Sequence, residues 1–94
     1  MTISFMHRVT VPEDVLFREL DGEAVILNLE SEQYFGLDEV GTGMWAELTH
    51  SDSIESAYQK LLEEYEVDGE TLRRDLTDLI EKLSDKGLVK VRAQ

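Results

Sequence analysis

The chain has 94 residues, 41% of them hydrophobic, and a formal net charge of minus 12. A chain this short buries only about 60 to 65% of its unfolded surface, so residues 1–94 are expected to form one domain around one modest core. It contains no cysteine, which removes disulfides, thiolate-held metals and thiol nucleophiles. Its acidity opposes a nucleic-acid backbone, whose partners displace counterions with Lys and Arg.

The amino terminus, MTISFMHRVTVPEDV, has no basic segment followed by a long apolar run. Neither a secretory signal nor a membrane span is therefore expected, and a cytoplasmic location follows by default. Residues 1–14 are read as a flexible arm or an added edge strand. From Val15 to Leu37 come three strand-type segments, VLFREL, EAVILNL and EQYFGL. Asp21-Gly22 between the first two tolerates positive φ at both positions and predicts a tight hairpin, and a polar turn around Glu30 to Glu32 joins the second to the third. The expected product is a three-stranded antiparallel meander that needs a helical layer on one face.

After Leu37 the apolar period lengthens to about 3.6 residues. Asp38 is the candidate cap of a first helix carrying Val40, Met44, Trp45 and Leu48, in which Gly41 and Gly43 point to close packing against a neighbour. Ser51-Asp52-Ser53 then precedes IESAYQKLLEEY, with Ile54, Ala57, Tyr58, Leu61 and Leu62 on one face. A turn at Val67-Asp68-Gly69 leads into a third helix that stops at Lys86-Gly87. In it Leu72, Leu76, Leu79 and Leu83 are expected to seal the core, with Ile80 at the margin beside Arg73 and Thr77. The tail LVKV reads as a short strand or an extended arm. Strands followed by three helices, two of them separated by a short glycine-containing turn, give an α+β fold of the winged helix-turn-helix kind.

No catalytic constellation emerges. Asp75 and Asp78, or Glu63, Glu64 and Glu66, read as solvated helix faces, and a carboxylate-dependent hydrolase would need a cleft that so thin a core leaves little room for. His7 and His50 share no ligand spacing, so neither a metal nor a cofactor is expected, and His50 reads as a dipole partner at a helix end. Arg73 and Arg74 on the third helix stand among Glu70, Asp75, Asp78, Glu81 and Asp85, which disfavours an acidic winged-helix regulator that reads DNA.

Three features occur together: VILNLESEQYFGLDEVGTGMWAEL running from strands into a helix, a helix ending LLEEYEV, and VDGETLRRDLTDLIEKLSDKGLV. Over residues 15–91 this arrangement resembles the PqqD-like family of small winged-helix elements that recognise the leaders of ribosomally synthesised, post-translationally modified peptides. YFGLDEVGTGMW is closer to the stand-alone leader-binding proteins of lasso-peptide clusters than to the quinone-cofactor protein, whose Pro-Glu turn and Asn are here replaced by Glu30-Ser31-Glu32 and Asp38. The resemblance implies a non-catalytic protein that takes a precursor leader as an extra strand and hands it to a leader protease and a macrocyclase, or, in the quinone-type alternative, to a radical-SAM enzyme. It implies a binding edge at Gln33, Tyr34, Phe35, Gly36 and Leu37. Arg73, Leu76, Thr77 and Ile80 are expected as the opposite wall, with Arg73 pairing to an acidic leader residue; the plainer alternative makes Ile80 core and Arg73 a surface charge. One of Tyr34 and Phe35 should face the core and the other the ligand. The free protein is expected to be a monomer or weak dimer, without nucleic acid or membrane partners.

Overall fold

The computed structural model describes residues 3–93, so Met1 and Thr2 of the expected arm lie outside the described residues. Strand β1 (Arg8–Thr10) is followed by β2 (Val15–Leu20), β3 (Glu23–Asn28) and β4 (Tyr34–Leu37). Helices α1 (Glu39–His50), α2 (Ile54–Glu64) and α3 (Gly69–Asp85) come next, and β5 (Lys90–Arg92) ends the order. The α+β reading is borne out. β2, β3 and β4 form the antiparallel meander in that order, with Phe17, Ile26 and Phe35 in one cross-strand row and Leu16, Leu27 and Tyr34 in the next. Asp21 and Gly22 close the first hairpin at φ 56° and 84°, so both turn residues occupy the left-handed region that this turn requires.

The helices start where short polar side chains can satisfy free amides. Asp38, Ser53 and Asp68 accept from the amides of Gly41, Ser56 and Thr71 respectively. His50 Nδ1 lies 2.7 Å from the Ala46 carbonyl in the last turn of α1. Close approach does explain Gly43, since a Cβ there would meet the Tyr65 hydroxyl at 2.5 Å. α3 ends at Gly87, whose φ of 70° turns the chain into its tail.

The N-terminal arm does not join the meander. β1 pairs antiparallel with β5, Val9 opposite Val91, in a separate two-stranded sheet, so the arm and the tail hold each other. Just before β1, the carbonyls of Phe5 and His7 accept from the amides of Glu55 and Ile54, each at 2.8 Å, and so finish the N-terminus of α2. The core collects Ala24, Ile26 and Leu37 from the sheet, Trp45 and Leu48 from α1, Ile54 and Leu61 from α2, and Leu72, Leu76, Ile80 and Leu83 from α3.

Two expectations about helical phase are corrected. Val40 is exposed, because its position in the first turn of α1 points away from the sheet that Met44, Trp45 and Leu48 cover. Ile80 is fully buried and Leu79 half-buried, the reverse of the expected order. The arm and β5 cover the Ile80 side, which shifts the buried stripe about one residue around the helix. Ile80→Ala should therefore cost about 2 to 5 kcal/mol in chemical denaturation and Leu79→Ala clearly less; equal losses would contradict this phase.

Candidate functional site

Each strand of the meander has one set of main-chain groups for each neighbour, and the pairing shows which groups of β4 are spare. The Asn28 amide donates to the Gln33 carbonyl at 2.8 Å. With Ile26 opposite Phe35 and Ala24 opposite Leu37, the groups of Gln33, Phe35 and Leu37 are turned towards β3. Those of Tyr34 and Gly36 point the other way, along a border with no strand beside it among the described residues. β4 therefore ends the meander on this side, and of Gln33–Leu37 only Tyr34 and Gly36 turn their main-chain groups outward. The tail, the obvious internal occupant, pairs with β1 instead.

Alternation also settles the two aromatic residues. Phe35 faces inward and packs against the core, whereas Tyr34 is 68% exposed on the outer face. A Cβ on Gly36 would meet nothing within 4 Å, so open space lies over the border at that point.

Asn28 builds the turn that starts β4, a role that sequence reasoning missed. Its Oδ1 accepts from the amides of Glu30 and Ser31 at 2.9 and 3.1 Å, while its Nδ2 donates to the Gly87 carbonyl at 2.9 Å. One side chain therefore ties the β3–β4 turn to the end of α3. Glu32, held at φ 62° with its amide donating to the Asn28 carbonyl at 2.8 Å, completes the turn. The sequence cue was an Asn at the end of a strand before a polar run, a common turn signal with no partner visible in the sequence.

The expected far wall is not formed by the side chains named for it. Leu76 and Ile80 are 0% exposed. The Arg73 guanidinium is 2.9 Å from Glu55 Oε1 and lies over the rings of Tyr58 and Phe5, 4.3 and 4.7 Å from their centroids. This pair is partly exposed and modest in energy, but the cation–π contacts fix the direction of the side chain. A hydrogen bond from the Gln59 amide, together with Arg73, holds the Glu55 carboxyl below its usual range against a small opposing effect of burial. Thr77 follows on the same flank and donates to the Arg73 carbonyl at 2.9 Å. Further along, Ile80, Glu81 and Ser84 border a cavity shared with Ile3, His7 and Val91. That flank of α3 therefore looks towards the arm and β5.

The opposite flank carries Leu72, Leu79 and Lys86, spaced seven apart on one side of the helix. Lys86 shares an open cleft of about 1200 Å³ with Asn28, Ser31 and Gln33 of the β3–β4 turn and with Pro12, Lys90 and Arg92, so the end of α3 borders the arm and β5 as well as that turn. Leu79, on the same flank, is half-buried and packs against the core. The candidate site consists of a bare strand border with spare groups at Tyr34 and Gly36, Phe35 beneath it, and the Asn28 turn that ties the start of β4 to the end of α3. Among the described residues no group of three or more His, Cys, Asp or Glu is placed to hold a metal ion, and no helix is long and apolar enough to cross a membrane.

A three-stranded antiparallel meander with a bare β4 border, followed by three helices, defines the class of fold. The chain belongs to the PqqD family: the model described as coenzyme PQQ synthesis protein D matches residues 23–89. Among solved structures it is similar to TbiB1 in complex with the TbiA(beta) leader peptide, at 34% identity and a TM-score of 0.79 over 86% of this chain and 94% of that one. A lasso peptide synthetase B1 complexed with the leader peptide shares the fold at 23% identity and a TM-score of 0.77, over 88% and 98% of the two chains. No curated protein matches the chain.

In the free protein the amides of Tyr34 and Gly36 should exchange with solvent faster than those of Phe35 and Leu37, as read by NMR hydrogen exchange. Equal protection across Tyr34–Leu37 would mean that the border is already covered.

Proposed function

We propose that this chain is a non-catalytic capture protein that binds the leader of a ribosomally made precursor peptide as an added antiparallel strand on β4. The bound precursor is then presented in the cytoplasm to maturation enzymes of the lasso type, a leader protease and a macrocyclase. One observation carries the reading: the border of β4 is bare at Tyr34 and Gly36 in a chain 34% identical to a protein solved with a leader peptide.

Strand addition separates affinity from selectivity. Main-chain bonds to Tyr34 and Gly36 accept any extended peptide, whereas the side chains of the guest alternate between two environments. Those turned inward meet Phe35 and the Leu79 flank of α3; those turned outward lie beside Tyr34. In this reading Leu79 and Lys86 take the place first given to Arg73 and Ile80, which is supported by the burial of Ile80 and by the hold of Glu55, Tyr58 and Phe5 on Arg73.

Titration of isotope-labelled protein with the leader of the precursor encoded beside its gene should shift the backbone signals of residues 33–38 and those around Leu79, with sub-micromolar to micromolar affinity. Leu79→Asp should weaken binding by about tenfold or more, as for loss of an apolar anchor, while Arg73→Ala stays within about twofold. Shifts confined to the Arg73 flank, or no binding by the folded protein, would overturn the proposal.

A further inference from the structure

Glycine inside a strand is destabilising, because it packs nothing and loses more freedom on folding than any other residue. Five of the chain's six glycines have a reason within the fold. Gly22 and Gly87 stand at φ 84° and 70°. Gly43 and Gly69 leave room for the hydroxyls of Tyr65 and Tyr58, 2.5 and 2.6 Å from where a Cβ would sit, and a Cβ on Gly41 would lie 3.1 Å from Leu37 Cδ2. Gly36 has none of these reasons. Its φ is outside the left-handed region, and a Cβ added to it would meet nothing within 4 Å. The missing side chain therefore serves no contact of the chain itself.

The pairing shows what surrounds the gap. Arg18, Val25 and Gly36 form one cross-strand row, beside the row of Leu16, Leu27 and Tyr34. Ala24 and Ile26 are buried while Val25 is 48% exposed, so the row of Gly36 stands on the outer face of the meander. An open cleft of about 590 Å³ runs over it, lined by Gly36, Val25, Arg18 and Leu20, with Glu23 and Asp38 also on its border.

We infer that the gap at Gly36 is a notch for one side chain of the guest strand: a large apolar one, carried by the leader residue directly opposite Gly36 and laid across the glycine against Val25. This rests on capture of a leader by β4. A guest paired there sets one residue opposite Gly36 on the outer face, because Gly36 turns its main-chain groups to the border and alternation continues the row. Strand spacing then fixes the size. The guest lies two steps from β3, roughly 9.6 Å in all. A short side chain ends above Gly36 without reaching Val25, whereas an aromatic ring or a methionine spans the step. Aromatic side chains shield a glycine at a sheet edge in this way, and here the contact also covers exposed apolar surface on Val25. With two carboxylates and one guanidinium on its border, the cleft disfavours an acidic side chain. Gly36 thus adds selectivity at a place where the main-chain bonds have none.

A double-mutant cycle between protein and leader tests the notch. The peptide is a synthetic leader of the precursor encoded beside the gene, and cross-strand NMR contacts in the complex identify its residue opposite Gly36. Gly36→Val fills the notch, keeps the amide at that position and meets no neighbour in the free protein, so circular dichroism should be unchanged and the denaturation midpoint should hold or rise. It should weaken binding of the native leader by about tenfold, while a leader with Ala at the opposite position binds the variant and the wild type within about twofold of each other. Val25→Ala, which removes the far wall on the exposed face, should weaken the native leader by about threefold and leave the Ala leader unaffected. A small or charged leader residue opposite Gly36, native-leader binding indifferent to Gly36→Val, or equal losses for both leaders would overturn the notch, the last by assigning Gly36 to close main-chain approach alone. In each of those results the ladder on β4 remains, whereas a wild-type protein that forms no ladder on β4 overturns the capture reading and the notch with it.

Discussion

The contact on which the rest of the site depends is made by one amide side chain. Asn28 accepts from two amides of the β3–β4 turn with its oxygen and donates to the carbonyl of Gly87 with its nitrogen. The first pair of bonds sets where β4 begins. The last fixes the end of α3 relative to that point. Because β4 is only four residues long, its position is determined almost entirely by this turn and by pairing with β3, so the spacing between the open border and α3 is set before any guest arrives. A site of this kind gains affinity from being preformed, since little ordering entropy remains to be lost on binding.

Two other constraints keep that space open. The tail, which could have folded onto the border, is held by β1 in its own ribbon, and the arm that carries β1 is anchored to the first turn of α2. Arg73 is drawn away from the β4 side by Glu55, Tyr58 and Phe5. β1, β5 and the Arg73 guanidinium thus gather on the arm side of α3. The high negative charge discourages bare borders from aggregating, which main-chain pairing alone would favour.

Much of this was legible in the sequence where the signal is local. Asp21-Gly22, the caps Asp38, Ser53 and Asp68, and Gly87 act on their own neighbours, and each appears where its chemistry requires. The three strands and the position of β4 at the edge of the meander were legible through alternation and turn chemistry. What could not be read was set by contacts between distant segments. Leu79 and Ile80 are adjacent in sequence, about 100° apart around the helix, and either could face the core; the arm and β5, which pair from opposite ends of the chain and share a cavity border with Ile80, lie on its side. Arg73 looked like a groove residue for the same reason, its aromatic neighbour Phe5 lying in a segment with no clear pattern of its own. Asn28 was read neither as the builder of the β3–β4 turn nor as the tie to α3, because its second partner, Gly87, lies far along the chain.

The central claim is that a guest strand hydrogen-bonds to Tyr34 and Gly36 and to no other part of the chain. Its most direct test is isotope-filtered NMR of the complex, observing close cross-strand contacts between leader backbone protons and those of β4. The account predicts an antiparallel ladder in register with Tyr34 and Gly36, with leader side chains near Phe35 and Leu79. A ladder on β2 or β5, or a leader bound as a helix, would contradict it.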